Sequence, residues 1–192
     1  MVQASTMKSR GFTGPGKAGS AQEAAWKRAH LVKAQAVPVV KTLWVHRSSV
    51  EAFNALNLIL QQHGEGLGRV ADDWGFSNRF IRGVPGEDSY HKYAKAEDID
   101  ATENPQHRLR TTFPVKITHQ AIALLKLVWG FDWSVKWADP MHFQDELTYK
   151  QRRRIAWLIT HPSPRRHKLA KLAKLKPREF TRRIKKFEAY GS

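Results

Sequence analysis

Cysteine is absent from the 192 residues, which excludes a disulfide scaffold and any thiolate zinc finger. A metal site in this chain must draw on His, Asp and Glu. Long apolar runs are also missing. Ala121-Ile-Ala-Leu-Leu125 and Leu127-Val-Trp129 are far too short to span a bilayer. The N-terminus shows no apolar h-region, so no signal peptide is expected. Acidic residues are scarce, 17 against 33 Lys and Arg, and the formal net charge is +16.

The shortage of acid is uneven. Residues 1–42 carry 7 basic residues and 1 acidic one, residues 43–149 carry 11 and 14, and residues 150–192 carry 15 and 2. The middle therefore reads as a mildly acidic globular domain, long enough for a real core. The basic flanks point to a polyanionic partner: nucleic acid, anionic lipid or anionic wall polymer.

The pattern along the chain predicts an α+β domain. Residues 1–37 read as a flexible basic arm, with Gly14-Pro-Gly-Lys-Ala-Gly-Ser20 at its centre and a helix from Ala21 to Ala36 that Pro38 stops. Residues 38–160 read as the folded domain. A strand is expected over Val39–Val45. A helix from Val50 to His63 follows, capped by Ser48 with Glu51 and ended by Gly64-Glu-Gly-Leu-Gly68. Strands are expected over Trp74–Ile81 and Ala96–Ala101, and a strand-like stretch over Trp133–Trp137. Helices are expected over Pro114–Trp129 and Phe143–Ile159. Residues 161–192 read as a cationic amphipathic tail, split by Pro177. Leu169, Leu172 and Leu175 alternate there with Lys168, Lys171 and Lys174.

Two short segments carry the chemistry. The first is Ser89-Tyr-His91-Lys-Tyr-Ala94-Lys-Ala96-Glu-Asp98-Ile-Asp100, and the second is Asp139-Pro-Met-His142-Phe-Gln144. Two imidazoles and a carboxylate are ordinary zinc donors, and three protein ligands leave a fourth position for water. His91 and Asp98 are an odd seven residues apart, so on one straight strand they would face opposite ways. The chain must bend between them, near Tyr93-Ala94. Asp139 lies three residues before His142 with Pro140 between, which places both on one side of a turn. A carboxylate there can take a proton from water and pass it to a leaving amine. Alternatively, Asp139 caps a following helix. Arg79 offers a fork for a substrate carboxylate, or an ion pair with Asp72, Asp73 or Asp100. Ser89 can donate to substrate or order its loop. Trp129, Trp133 and Trp137 read as core and cleft-wall residues. The remaining histidines match no ligand spacing.

The two segments resemble the zinc peptidases of the bacterial cell wall: the D-alanyl-D-alanine carboxypeptidases and the L-alanyl-D-glutamate peptidases of bacteriophage endolysins. The shared pattern is Ser89, His91, Ala96 and Asp98, then Asp139 and His142. It extends upstream to Trp74-Gly-Phe-Ser-Asn-Arg79-Phe-Ile-Arg-Gly83 and covers roughly residues 40–148. The resemblance implies zinc bound by His91, Asp98 and His142, with Asp139 as general base. It implies Arg79 on the substrate side, and a small antiparallel sheet flanked by helices; Ser89 and Trp137 are the further substrate-binding candidates read from the residues. Three positions depart from the family: Ala94 stands where Gly is usual, Glu97 where an apolar residue is usual, and Gln144 where Glu is common.

The function expected from this likeness is hydrolysis of an amide bond in the peptide stem of peptidoglycan, by an endolysin-type L-Ala-D-Glu endopeptidase. A D-alanyl-D-alanine carboxypeptidase is the alternative of the same class. An alternative of another class is a catalytically dead peptidase fold that binds nucleic acid or membrane through its basic flanks. The expected partner is peptidoglycan, with anionic wall polymer or outer-membrane lipid as candidates for the tail. No sequence-specific nucleic-acid partner is expected, and the chain is expected to be a monomer. It would be made in a host cytoplasm and reach the wall after release, or be carried in a virion.

Overall fold

The structure is a computed structural model that describes residues 6–34, 43–63, 74–81, 84 and 86–191. Among these residues it is mixed α and β, with seven helices and two small antiparallel sheets of three strands each. In chain order the elements begin with a single turn, α1 (Thr6–Ser9), then α2 (Ala21–His30), β1 (Leu31–Ala34), β2 (Trp44–His46) and α3 (Val50–Gln61). The site-bearing half follows with β3 (Ala96–Asp98), α4 (Val115–Leu125), β4 (Val128–Trp129) and β5 (His142–Gln144). The chain closes with α5 (Tyr149–Thr160), α6 (Pro164–Leu172), α7 (Pro177–Ile184) and β6 (Phe187–Ala189). None of the described helices is long and apolar enough to cross a membrane.

Helix α3 is the centre of the core. Ten of its residues, from Val50 to Leu60 except Glu51, are buried, as expected for a helix apolar nearly all round. Phe53, Leu56, Ile59 and Leu60 belong to one cluster with Ile122 and Leu125 of α4 and with Phe180 and Ile184 of α7. The expected capping box is not formed. Ser49 is the N-cap residue, and its hydroxyl donates to Asp145 Oδ2 at 2.6 Å. Ser48 Oγ instead lies 2.8 Å from His46 Nδ1.

The flanks are part of this packing. Helix α2 stops at His30 rather than Ala36, and Leu31–Ala34 form the central strand of the first sheet, in the order β2-β1-β6. β1 gains a ladder on both edges, including one from the end of the chain: Val32 pairs with Ala189 and Ala34 with Phe187. The region expected to be a loose arm also carries Met7, Phe12 and Trp26, all buried, and Trp26 Nε1 donates to Thr13 O at 2.7 Å. The expected tail is likewise seated, because Leu169, Phe180 and Ile184 have no exposed surface. Its two helices are split at Pro177, which starts α7. Pro38, the start of the strand expected from Val39, and the Gly64–Gly68 segment lie outside the described residues.

The second sheet, in the order β3-β5-β4, holds the site. The strand expected over Ala96–Ala101 ends at Asp98, and further expectations change here. Trp74–Ile81 makes isolated bridges, Trp74 with Asp98 and Phe80 with Asp88, rather than a strand. Val135–Trp137 is a short 3-10 turn, preceded by another at Gly130–Asp132, where a strand-like stretch was expected over Trp133–Trp137. The expected Phe143–Ile159 helix begins only at Tyr149, capped by Thr148 with Gln151. His142-Phe-Gln144 has the period-2 alternation of a strand, with Phe143 stacked on Trp129 at 5.6 Å in the core and its neighbours on the other face. Trp129 itself ends the short strand that follows α4, which stops at Leu125 where Lys126 takes a left-handed conformation.

A fully buried charged cluster ties these parts together. Asp145, just past β5, accepts from Arg152 of α5 at 2.8 and 2.7 Å, from Ser49 at the start of α3, and from Lys95 at the start of β3. Arg152 also donates to the carbonyls of Leu125 and Lys126 that end α4. Lys95 lies over the Phe12 ring at 4.4 Å, which fastens the N-terminal segment to the same cluster.

Candidate metal centre

The antiparallel register of β3 and β5 sets Asp98 opposite His142 and Ala96 opposite Gln144. Residues directly opposite share a face with Cβ atoms about 5 Å apart. The Asp98 and His142 side chains therefore meet, with Asp98 Oδ1 2.8 Å from His142 Nδ1. His91 reaches them from the loop before β3. A 3-10 turn at Tyr90–Tyr93, capped by Ser89 Oγ on the His91 amide at 3.3 Å, reverses the chain. Ala94 completes the reversal at φ 52, in the left-handed region. The odd spacing thus resolves as a bend followed by a strand. The bend uses a conformation that costs a residue with a Cβ roughly 1 kcal/mol.

His91 Nε2 lies 3.2 Å from Asp98 Oδ1 and 3.3 Å from His142 Nδ1. Three buried donor atoms thus form a triangle with edges of 2.8, 3.2 and 3.3 Å. Donors placed 2.0–2.2 Å from a tetrahedral ion stand roughly 3.3 Å from one another. The group can hold a metal ion.

The hydrogen bonds behind the donors fix which nitrogen is available. His91 Nδ1 is 2.6 Å from the carbonyl of Gly75, which can only accept, so Nδ1 carries the hydrogen and Nε2 keeps its lone pair. Gln144 Nε2 donates to Glu146 Oε1 at 2.6 Å, which turns its Oε1 to His142 Nε2 at 2.9 Å. His142 Nε2 is therefore the donor there, and Nδ1 faces the triangle. Such outer partners orient metal-binding imidazoles and raise their basicity. Glu146 in turn pairs with Arg10 at 3.9 Å, and Arg10 donates to the Glu146 carbonyl. Gly75 can supply its carbonyl only because it lacks a side chain: a Cβ there would lie 2.3 Å from Trp44 O.

Asp139 stands on the turn before β5, where the His142 amide donates to its carbonyl at 3.0 Å. It is buried, and its Oδ1 has no hydrogen-bond partner. Burial pushes its carboxyl up to about 6; the His142 imidazole pulls against this, and the Asp98 carboxylate adds to it. Burial alone would also raise Asp98, but the His91 and His142 imidazoles outweigh it and hold that carboxyl well below the usual range. Burial opposes a charge on His142, yet the Asp98 carboxylate raises its pKa above the ordinary imidazole value. The two acids are thus driven apart, one held ionised and one able to carry a proton near neutrality.

The site opens into a cleft of 390 Å³ that takes in Arg79, Ser89, Trp137 and Asp139 with the three donors. The structure therefore places every site residue named from the sequence at one cavity. Trp74, Trp133 and Gln106 complete its walls, while Trp129 is fully buried in the core. Arg79 is half-buried, with its guanidinium donating to Phe80 O at 3.4 Å. Asp72 and Asp73 lie outside the described residues. Sequence reasoning missed the orienting roles of Gln144 and Gly75. It also missed Gly130, whose added Cβ would lie 2.5 Å from Asp139 O. Gln144 sits two residues past His142, the same-face spacing of a strand, but that signal is legible only once His142 is assigned to one. Comparison of the chain with protein-family models, curated proteins and solved structures gave no match.

Proposed function

We propose that the chain is a zinc-dependent peptidoglycan peptidase that hydrolyses an amide bond in the wall peptide stem, with the fold of the zinc D,D-peptidase family. The observation that carries this reading is the pairing of a buried His91–Asp98–His142 triangle with a buried Asp139, whose Oδ1 has no hydrogen-bond partner, in the lining of one cleft. His91 Nε2, Asp98 Oδ1 and His142 Nδ1 would hold the ion, and the mixed nitrogen and oxygen set without thiolate suits zinc. Bound there, zinc supplies Lewis acidity and a nucleophilic water at neutral pH.

The remaining work falls to the chain. The ionised Asp139 carboxylate accepts a proton from the attacking water and delivers it to the departing amine, a cycle suited to a group that titrates near 6. Gln144 and the Gly75 carbonyl keep both imidazoles in the tautomers that binding requires. Arg79 meets a carboxylate of the peptide, and D-glutamate or a free C-terminus provides one. Trp74, Trp133 and Trp137 wall the cleft and limit water around the scissile bond.

Digestion of muropeptides, followed by mass spectrometry, tests the reading, with chelator, zinc add-back and Asp139→Ala as controls. New N-terminal D-glutamate that disappears with chelator and with Asp139→Ala establishes the endopeptidase. Loss of terminal D-alanine alone assigns the carboxypeptidase. Intact muropeptides with zinc bound would refute catalysis.

A further inference from the structure

Helix α5 hides one arginine and displays two. Arg152 is fully buried on Asp145, whereas Arg153 and Arg154 are exposed. The exposed side carries residues 149, 153, 157 and 161 in one row, each about 6 Å further along the axis. Tyr149 is 46 % exposed and Trp157 is 53 % exposed, on a helix that buries only Arg152, Ile159 and Thr160. The row is ordered internally. The Arg153 guanidinium lies 6.0 Å from the Tyr149 ring centre, and Trp157 stacks on His161 at 4.8 Å with an interplanar angle of 11°. Lys150 and Arg154 flank it. From Leu147 to Arg178 the chain has no Asp or Glu, so nothing in this stretch neutralises the row.

We propose that this face of α5 binds single-stranded nucleic acid without sequence preference. Rings interleaved with cations are what such a strand recognises: bases stack on Tyr149 and Trp157, while Lys150, Arg153 and Arg154 neutralise phosphates. Trp and Tyr beside cations also suit a membrane interface, but insertion needs a continuous apolar face, and Ile155, Leu158 and Ile159, which would extend one, are partly or wholly buried. The groups this row offers are ring faces and cations, which engage bases and backbone without reading base edges. The site is separate from the metal-centre cleft and independent of the peptidase reading.

Fluorescence anisotropy of a labelled oligo-dT 20-mer with the full-length protein tests the proposal. Trp157→Ala is expected to weaken binding about tenfold, and Trp157→Phe to restore most of it. Arg153→Glu with Arg154→Glu is expected to weaken binding further and to flatten its salt dependence. The double reversal Lys168→Glu with Lys171→Glu, both exposed on α6, serves as the charge-matched control and is expected to cost less than threefold. Polyphosphate at equal charge carries no rings, and its affinity should be unchanged by Trp157→Ala. Thermal melting establishes that each variant is folded. Equal losses from the two charge reversals, with no effect of Trp157→Ala, would reduce the interaction to undirected electrostatics and overturn the proposal. So would preferential binding of an anionic glycan over oligo-dT, or no binding at low salt.

Discussion

Asp98 Oδ1 and His142 Nδ1 meet at 2.8 Å because the two residues are register partners across β3 and β5. A one-residue slip between these strands would send one side chain to the core face and dismantle the site. Phe143, stacked on Trp129 behind the sheet, holds the register by filling the opposite face. The candidate metal site therefore depends on the core directly. Substituting Phe143→Ala should cost about 3–5 kcal/mol in stability and lower zinc affinity in the fraction that stays folded. Calorimetry with and without zinc measures both effects.

Gln144 offers a more selective test. Its Oε1 accepts from His142 Nε2, and its amide is anchored on Glu146. Gln144→Leu removes the acceptor while leaving all three donors in place, and loss of such a partner typically lowers metal affinity 10–100-fold. Gln144→Glu keeps an acceptor but sets a second carboxylate against Glu146, so its loss of affinity should be smaller than that of Gln144→Leu. Chelator competition reads the difference without any assay of activity.

Asp139 predicts a trade between stability and function. Its folded pKa of about 6 lies above the ordinary carboxylate value, so the native state keeps a proton that the unfolded chain releases between about pH 4 and 6. Stability of the metal-free protein then falls as pH rises through that window, and the penalty is complete above it. Asp139→Asn abolishes the charge, so it should stabilise the metal-free protein at pH 8 by about 2 kcal/mol and have little effect at pH 3.5. Melting curves in chelator at the two pH values check the sign. The same variant should lose peptidase activity.

Much of the site was legible in the sequence because its spacing is a local signature. His91, Asp98, Asp139 and His142 sit on a bend, a strand and a turn whose geometry short-range chemistry dictates. Ala94 shows the limit of that reading: the need for a bend was visible, but only the backbone shows an alanine holding φ 52 there. The flanks misled for a different reason. Gly, Ser and Lys around Met7 and Phe12 have the composition of a loose arm, yet those two side chains are buried against Tyr90 and Tyr93. The pairing of Val32 with Ala189 joins the two ends of the chain, and no local pattern announces such a distant partner. The expected helix from Phe143 failed because Asp145 and Glu146 suggested a helix start. Asp145 instead binds Arg152 and Lys95 in the interior.

That buried cluster carries the last prediction. Burial alone would raise the Asp145 carboxyl, but Arg152 and Lys95 hold it well below its usual range, while burial lowers Lys95 to about 8. A carboxylate with a depressed folded pKa contributes stability that is present above the unfolded value near 4 and is lost as pH falls below it. Replacing Asp145 with alanine leaves two cations without their anion in the interior, a change that costs about 3–5 kcal/mol. Because Asp145 joins the starts of α3 and β3 to α5, and Arg152 ties in the end of α4, the loss should be global. Denaturant unfolding should show a lower midpoint in a single transition, with no fragment that melts early. Arg152→Met with Asp145→Leu removes opposite charges together and should recover part of the loss, which separates uncompensated charge from lost packing. If the double variant were no more stable than Asp145→Ala, the cluster would matter for its shape rather than its charge.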